Sequence, residues 1–159
     1  MENGNELFTL YKEYENGGRI FLMEGLDESK SDYYPILGIA NAMASEGNEV
    51  SIPRPIHYKD ILYKEVFGGL TGTRYFRKCP DLIVNGKYYE YEGYSGVWSK
   101  RKLANMIHKG LEQSDRIIID NNNGTTHSNI KKAIMNRLRQ NASICEVWAY
   151  ENEDVIRIK

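Results

Sequence analysis

Three carboxylates fall within the stretch Cys79–Tyr94, "CPDLIVNGKYYEYEGY". Asp81 precedes the apolar run Leu82-Ile83-Val84. Glu90 and Glu92 lie in the run that follows the Asn85-Gly86 dipeptide. Asn-Gly between two such runs is the strongest short signal for a two-residue type I′ hairpin turn. That turn sets a register in which Val84 faces Lys87, Ile83 faces Tyr88, Leu82 faces Tyr89 and Asp81 faces Glu90. Glu92 lies two residues further on, so its side chain shares the side of Glu90. Directly opposed residues have Cβ atoms about 5 Å apart, and like charges there destabilise the pair. A divalent cation relieves this. Mg²⁺ or Mn²⁺ takes hard oxygen ligands at about 2.1 Å, and two facing carboxylates can share one ion. Such an ion polarises a phosphodiester and lowers the pKa of a bound water. The alternative is a solvated strand end whose acids pair with nearby Lys or Arg.

Basic and aromatic residues flank the acids. "GGLTGTRYFRK" places Arg74, Arg77 and Lys78 just before them, in what reads as a flexible loop able to clamp a substrate. After them, "WSKRKLANMIHKGLEQS" reads as a helix capped by Ser99, with Leu103, Met106, Ile107 and Leu111 on its buried stripe. Off that stripe, Lys102, Asn105 and His108 or Lys109 form a polar row suited to phosphate contact, or simply a solvated face. His108 has no His or Cys partner at zinc-ligand spacing. Tyr88 and Tyr94 are candidates to stack on unpaired bases, whereas Tyr89 and Tyr91 point away from the acids toward the core.

The elements that position these residues follow from periodicity and punctuation. "ELFTLYKEY" and "RIFLMEG" read as strands around the turn "ENGG". "SDYYPILGIANAMASEG" reads as a helix capped by Ser31 or Asp32, with Pro35 in its first turn and Gly47 ending it. Ile36, Ile39, Ala40 and Met43 share one face. "NEVSIP" is a strand stopped by Pro53, and "HYKDILYKEVF" is a candidate short helix. Beyond the hairpin and its helix, "RIIID" is a buried strand and "TTHSNIKKAIMNRLRQ" a helix with Ile130, Ala133, Ile134 and Leu138 inward. "ICEVWAY" and "DVIRIK" form a closing hairpin around "ENE". From the first long helix onward the core order is α-β-β-β-α-β, followed by α-β-β. Strands interleaved with helices predict an α/β architecture with a mixed sheet.

The 159 residues suit one domain, 1–159, with one sizeable core. No apolar run reaches the roughly 18–20 residues that span a bilayer, no secretory signal is visible, and Cys79 and Cys145 make no CxxC pair. These features predict a cytoplasmic protein with no membrane association. The net charge of −1 hides an asymmetry. Residues 1–49 carry 3 basic and 10 acidic side chains (−7), and residues 97–139 carry 9 and 3 (+6). A near-neutral total therefore leaves room for a polyanionic partner.

The chain resembles the PD-(D/E)XK nuclease superfamily. Pro80-Asp81 matches the PD element, and Glu90-Tyr91-Glu92 stands where (D/E)XK is expected. "IANAMASEGNEVSIP" resembles the helix-to-strand entry of the C-terminal nuclease domains of bacterial contact-dependent growth inhibition toxins, some of which cleave tRNA. The resemblance covers roughly residues 33–120. It implies a restriction-endonuclease-like α-β-β-β-α-β core with an extra N-terminal β-hairpin and a C-terminal α-β-β. It also implies a Mg²⁺ (or Mn²⁺) ion on Asp81 and Glu90, supported by Glu46 from the first helix. The implied partners are nucleic acid, tRNA or DNA, and a cognate immunity protein. Glu92 stands where the family usually has lysine. It would ligate the metal or act as general base, and Lys100 or Lys102 would supply the missing positive charge.

The expectation is a metal-dependent endonuclease, with RNA and tRNA ahead of DNA. Its rival is a nuclease-fold module that binds nucleic acid or a protein without cutting. The absent lysine favours the rival. The three acids favour the enzyme, because a phosphate binder gains nothing from carboxylates facing its ligand.

Overall fold

The computed structural model describes residues 7–93, 96–122 and 124–159. Among them it shows an α/β protein with four α-helices and eight strands in mixed parallel and antiparallel pairing. The chain divides into two compact units, with the boundary between Tyr88 and Tyr89.

In the first unit β1 (Phe8–Glu13) and β2 (Arg19–Met23) form an antiparallel hairpin. Its turn is closed by the Tyr14 N–H donating to the Gly18 carbonyl at 2.7 Å. Helix α1 (Tyr33–Ser45) carries the chain to β3 (Glu49–Ile52), which runs parallel to β2. Ile36, Ile39, Ala40 and Met43 of α1 are all buried, as their spacing predicts. Asp32 is the N-cap residue, and Gly47 takes the left-handed conformation just past the helix end, at φ 95°. Strand β4 (Leu82–Val84) pairs antiparallel with β3.

Between β3 and β4 stands α2 (Ile61–Phe67), capped by the Asp60 carboxylate, which accepts from the Leu62 N–H at 3.0 Å. The element order from α1 is therefore α-β-α-β-β-α-β rather than α-β-β-β-α-β. Tyr63, Val66 and Phe67, at i, i+3 and i+4, give α2 an apolar stripe. It packs with Leu70, Tyr75, Met23 and Ile56 into a cluster of its own. The glycine-rich segment after α2 is thus anchored rather than open. Leu70 and Tyr75 are buried in that cluster. The Tyr63 hydroxyl donates to the Lys78 carbonyl and accepts from the Arg77 N–H, both at 2.8 Å.

Strand β5 (Lys87–Glu92) crosses the boundary; in the second unit its Glu90–Glu92 run parallel to β6 (Arg116–Asp120), β6 runs parallel to β7 (Glu146–Glu151), and β8 (Asp154–Arg157) returns antiparallel to β7. Helix α3 (Lys100–Gln113) joins β5 to β6, and α4 (His127–Arg139) joins β6 to β7. Both helices begin at a side-chain cap: Ser99 accepts from the Lys102 N–H and Thr126 from the Asn129 N–H. They cover the same face of the strands. Leu103, Met106, Ile107, Leu111, Ile130 and Ile134 form one buried cluster with Ile117, Ile119, Val147 and Ala149. Among the described residues no helix is long and apolar enough to cross a membrane.

Candidate active site

Asn85 and Gly86 both have positive φ, 50° and 80°, the combination that a type I′ turn requires. The approach to Asp81 is fixed from the other side. Pro80 is fully buried, and the Cys79 thiol donates to the Ile56 carbonyl at 3.2 Å. Burial pushes the Cys79 thiol pKa up, against the backbone hydrogen bond with Ile56. Asp81 is half-buried and lines a cavity of about 200 Å³ together with Asp27, Lys30, Asp32 and Arg54. The hydroxyl and backbone N–H of Ser29 hold the Asp27 carboxyl below its usual range. Arg54 is oriented by donating from Nε to the Glu24 carbonyl at 3.0 Å. Sequence reasoning missed Asp27, Lys30, Asp32 and Arg54. The signal for the first three was the charged run "EGLDESKSD" between the second strand and the first helix; Arg54 lies outside it, after β3. Glu46, the acid expected to support the metal from α1, is exposed at the helix C-cap.

Glu90 and Glu92 belong to the second unit. They register with Ile117 and Ile119 of β6, so both face the side covered by α3 and α4. Glu92 lies directly under α3: a Cβ added to Gly110 would sit 3.1 Å from its Cγ and 2.9 Å from Cγ2 of Ile117. Gly110 therefore makes room for Glu92 beneath the helix. Tyr89 and Tyr91 face the other side, as their alternation predicts. The Tyr91 hydroxyl donates to Asp120 at 2.6 Å, which places Asp120 on the face opposite Glu90 and Glu92.

The basic candidates divide between the two units: Arg74, Arg77 and Lys78 in the first, and those of α3 in the second. Arg77 lies over the Tyr58 ring, 4.4 Å from its centroid, and Arg74 over Tyr75 at 5.4 Å. Lys78 is half-buried. On α3, Lys100, Asn105, His108 and Lys109 are exposed, and His108 Nε2 lies 3.2 Å from Glu112. The Lys102 ammonium donates to the Val97 carbonyl at 2.9 Å. Eight residues separate Lys102 from Gly110, about 12 Å of helix. Tyr88 packs in the first unit's aromatic cluster, donating to the Val66 carbonyl. Tyr94 lies outside the described residues. Within either unit, the described residues hold no group of three or more His, Cys, Asp or Glu arranged to bind a metal ion.

Glu146 is a further polar centre that the sequence did not suggest. Only 5% exposed, it accepts from the Tyr89 hydroxyl at 2.8 Å, from Trp148 Nε1 at 2.9 Å and from Arg116 Nε at 2.8 Å. Burial opposes its ionisation. The three hydrogen bonds and the charge of Arg157 outweigh burial and hold its carboxyl below the usual range. Burial and the same carboxylate drive the Tyr89 phenol strongly upward. At the other end of β7, Glu151 takes hydrogen bonds from Asn121 and His127, both at 2.8 Å. This ties the first turn of α4 to the strand.

Comparison with family models, curated proteins and solved structures finds no match to this chain.

Proposed function

We propose that the chain is a metal-dependent endonuclease that hydrolyses phosphodiester bonds, with RNA, and tRNA in particular, ahead of DNA. The reading takes the restriction-endonuclease-like arrangement as the finer description of the fold. It takes a cytoplasmic site of action, and an immunity protein as a further partner. The observation that carries it is the left-handed conformation of both Asn85 and Gly86. A two-residue turn of this kind sets the register that, continued to the strand ends, opposes Asp81 and Glu90. The donors suit Mg²⁺ or Mn²⁺, which are bound by oxygen. Mg²⁺ commonly uses one or two carboxylates, with water and substrate phosphates completing the shell.

Asp81 and Glu90 would hold the ion; Glu46, about 15 Å along α1 from Ile36 in the cavity that Asp81 lines, is left out of the metal set. The ion supplies charge stabilisation at the phosphoryl oxygens and a more acidic water. Glu92 completes the set as a ligand or as the base that takes the proton of the attacking water. Arg74, Arg77, Lys78, Asn105, His108 and Lys109 contact the substrate backbone in this reading. Lys100 or Lys102 supplies positive charge beside the developing phosphorane.

The non-catalytic nuclease-fold module is the second reading. Glu92, standing where the family usually has lysine, favours it.

Thermal unfolding in Mn²⁺ or Mg²⁺ tests the metal site. A ligand that binds only the folded state at a hundred times its Kd stabilises by about 2.7 kcal/mol. At 2–4 °C per kcal/mol for a chain of this size, Tm rises by about 5–11 °C. The shift is expected in the native chain and absent from Asp81→Ala and Glu90→Ala. Equal shifts in all three proteins place the metal elsewhere.

A further inference from the structure

Helices α3 and α4 enclose a groove of about 730 Å³ at the surface of the second unit. Five cations line it: Lys100 on α3, and Lys131, Lys132, Arg137 and Arg139 on α4. Among the described residues the lining contains no Asp or Glu. None of the five makes an ion pair among the described residues. Arg137 and Arg139 instead donate to the neutral amides of Gln140 and Asn136. Holding like charges together with no counter-charge is unfavourable, and a bound anion relieves it. We infer that this groove binds the phosphate backbone of RNA.

The shape of the charge selects a polymer. Lys132 and Arg139, seven residues apart on one face of α4, set positive charge along about 10 Å of helix, with Lys131 and Arg137 to either side, a spread wider than a single cradle. Alanine, serine and asparagine side chains fill the spaces between them, and Met135 is the one large apolar side chain of α4 in the lining. The core of a protein–protein interface is depleted in lysine and other charged residues. Nucleic-acid interfaces are polar and strongly positive. Trp98 also lines the groove, and its buried indole N–H has no acceptor among the described residues. The choice of RNA over other polyanions rests on the endonuclease reading. The presence of an anion groove does not.

The test is fluorescence anisotropy of the intact chain with a short labelled RNA across about 50–200 mM salt. Four proteins are compared: native, Lys131→Ala/Lys132→Ala, Arg137→Ala/Arg139→Ala, and Lys64→Ala as a control on α2. Each lost phosphate contact lowers the slope of log K against log salt by about 1. Each groove double variant is therefore expected to lose about 2 from the slope and about tenfold in affinity at low salt, with an unchanged melting curve. The control should bind like the native chain. Unchanged affinity and slope in both double variants overturn the proposal. So does tighter groove-dependent binding of poly-L-glutamate than of RNA, which would assign the groove to an acidic protein. Adding metal to the same samples separates this inference from the enzyme reading. Groove-dependent binding without cleavage removes the enzyme and keeps the groove. Cleavage with unaltered KM in both double variants removes the groove and keeps the enzyme.

Discussion

Glu146→Ala is expected to lower stability by about 3–5 kcal/mol, the range for breaking a buried charge pair by removing one partner. For a chain of this length that is a fall in Tm of about 6–20 °C. The substitution leaves Arg116 largely buried without its best acceptor, and strands the Tyr89 hydroxyl and the Trp148 indole N–H. Glu146→Gln keeps the shape and an acceptor oxygen, so it should cost less. Neither variant carries the titrating carboxyl, so both differ from the native chain in their pH dependence. The folded carboxyl of Glu146 is held below its unfolded value, so its stabilisation is complete above about pH 4.3. It is lost as the pH falls through the folded pKa. Glu151, held low by hydrogen bonds from Asn121 and His127 against burial, contributes in the same direction. Urea unfolding from neutral to acid pH should therefore show a shallower acid loss in Glu146→Gln than in the native chain. An equal loss would mean that Glu146 carries no charge-dependent stabilisation.

Gly18→Ala is expected to cost about 3 kcal/mol, at the upper end for overpacking, or about 6–12 °C in Tm. A Cβ at position 18 would sit 1.7 Å from the Ala44 carbonyl oxygen and 3.2 Å from the Gly47 Cα. Both obstacles are backbone, so no side chain can rotate away. The last turn of α1 has to leave the β1–β2 turn, or the hairpin has to open. Gly17, one residue earlier, has φ 92° and open space around its Cα. Gly17→Ala should therefore cost only the left-handed backbone penalty of about 1–2 kcal/mol. Differential scanning calorimetry of the two variants separates close approach from turn conformation. Equal losses would contradict the packing account.

The adjacent glycines show what the sequence carries and what it does not. "ENGG" announces a turn, but only the fold reveals that the second glycine admits a helix end. The long helices were legible because their apolar spacing is local, and so are the caps and stops of two of them: Pro35 and Gly47 for α1, Ser99 for α3. The turn at Asn85-Gly86 was legible for the same reason. Glu146 was not, because its partners come from strands 30 and 57 residues away. The segment after α2 carries glycine and threonine at loop density, yet Leu70 and Tyr75 reach back to pack on α2 and β2. Tertiary burial overrides local composition there. At the candidate site the shared face of Glu90 and Glu92 was legible from strand alternation. The cavity that Asp81 lines was not, because Lys30 and Arg54 reach it from different connections.

Cleavage of nucleic acid bears most directly on the central claim. Purified chain is incubated with total tRNA and with plasmid DNA, in EDTA and in Mg²⁺ or Mn²⁺, beside Asp81→Ala and Glu90→Ala. The expected result is cleavage only with the metal, faster on tRNA than on plasmid, and reduced about a hundredfold or more in each variant. No cleavage of either substrate with either ion, or cleavage that persists in EDTA or in both variants, contradicts a metal-dependent endonuclease built on Asp81 and Glu90.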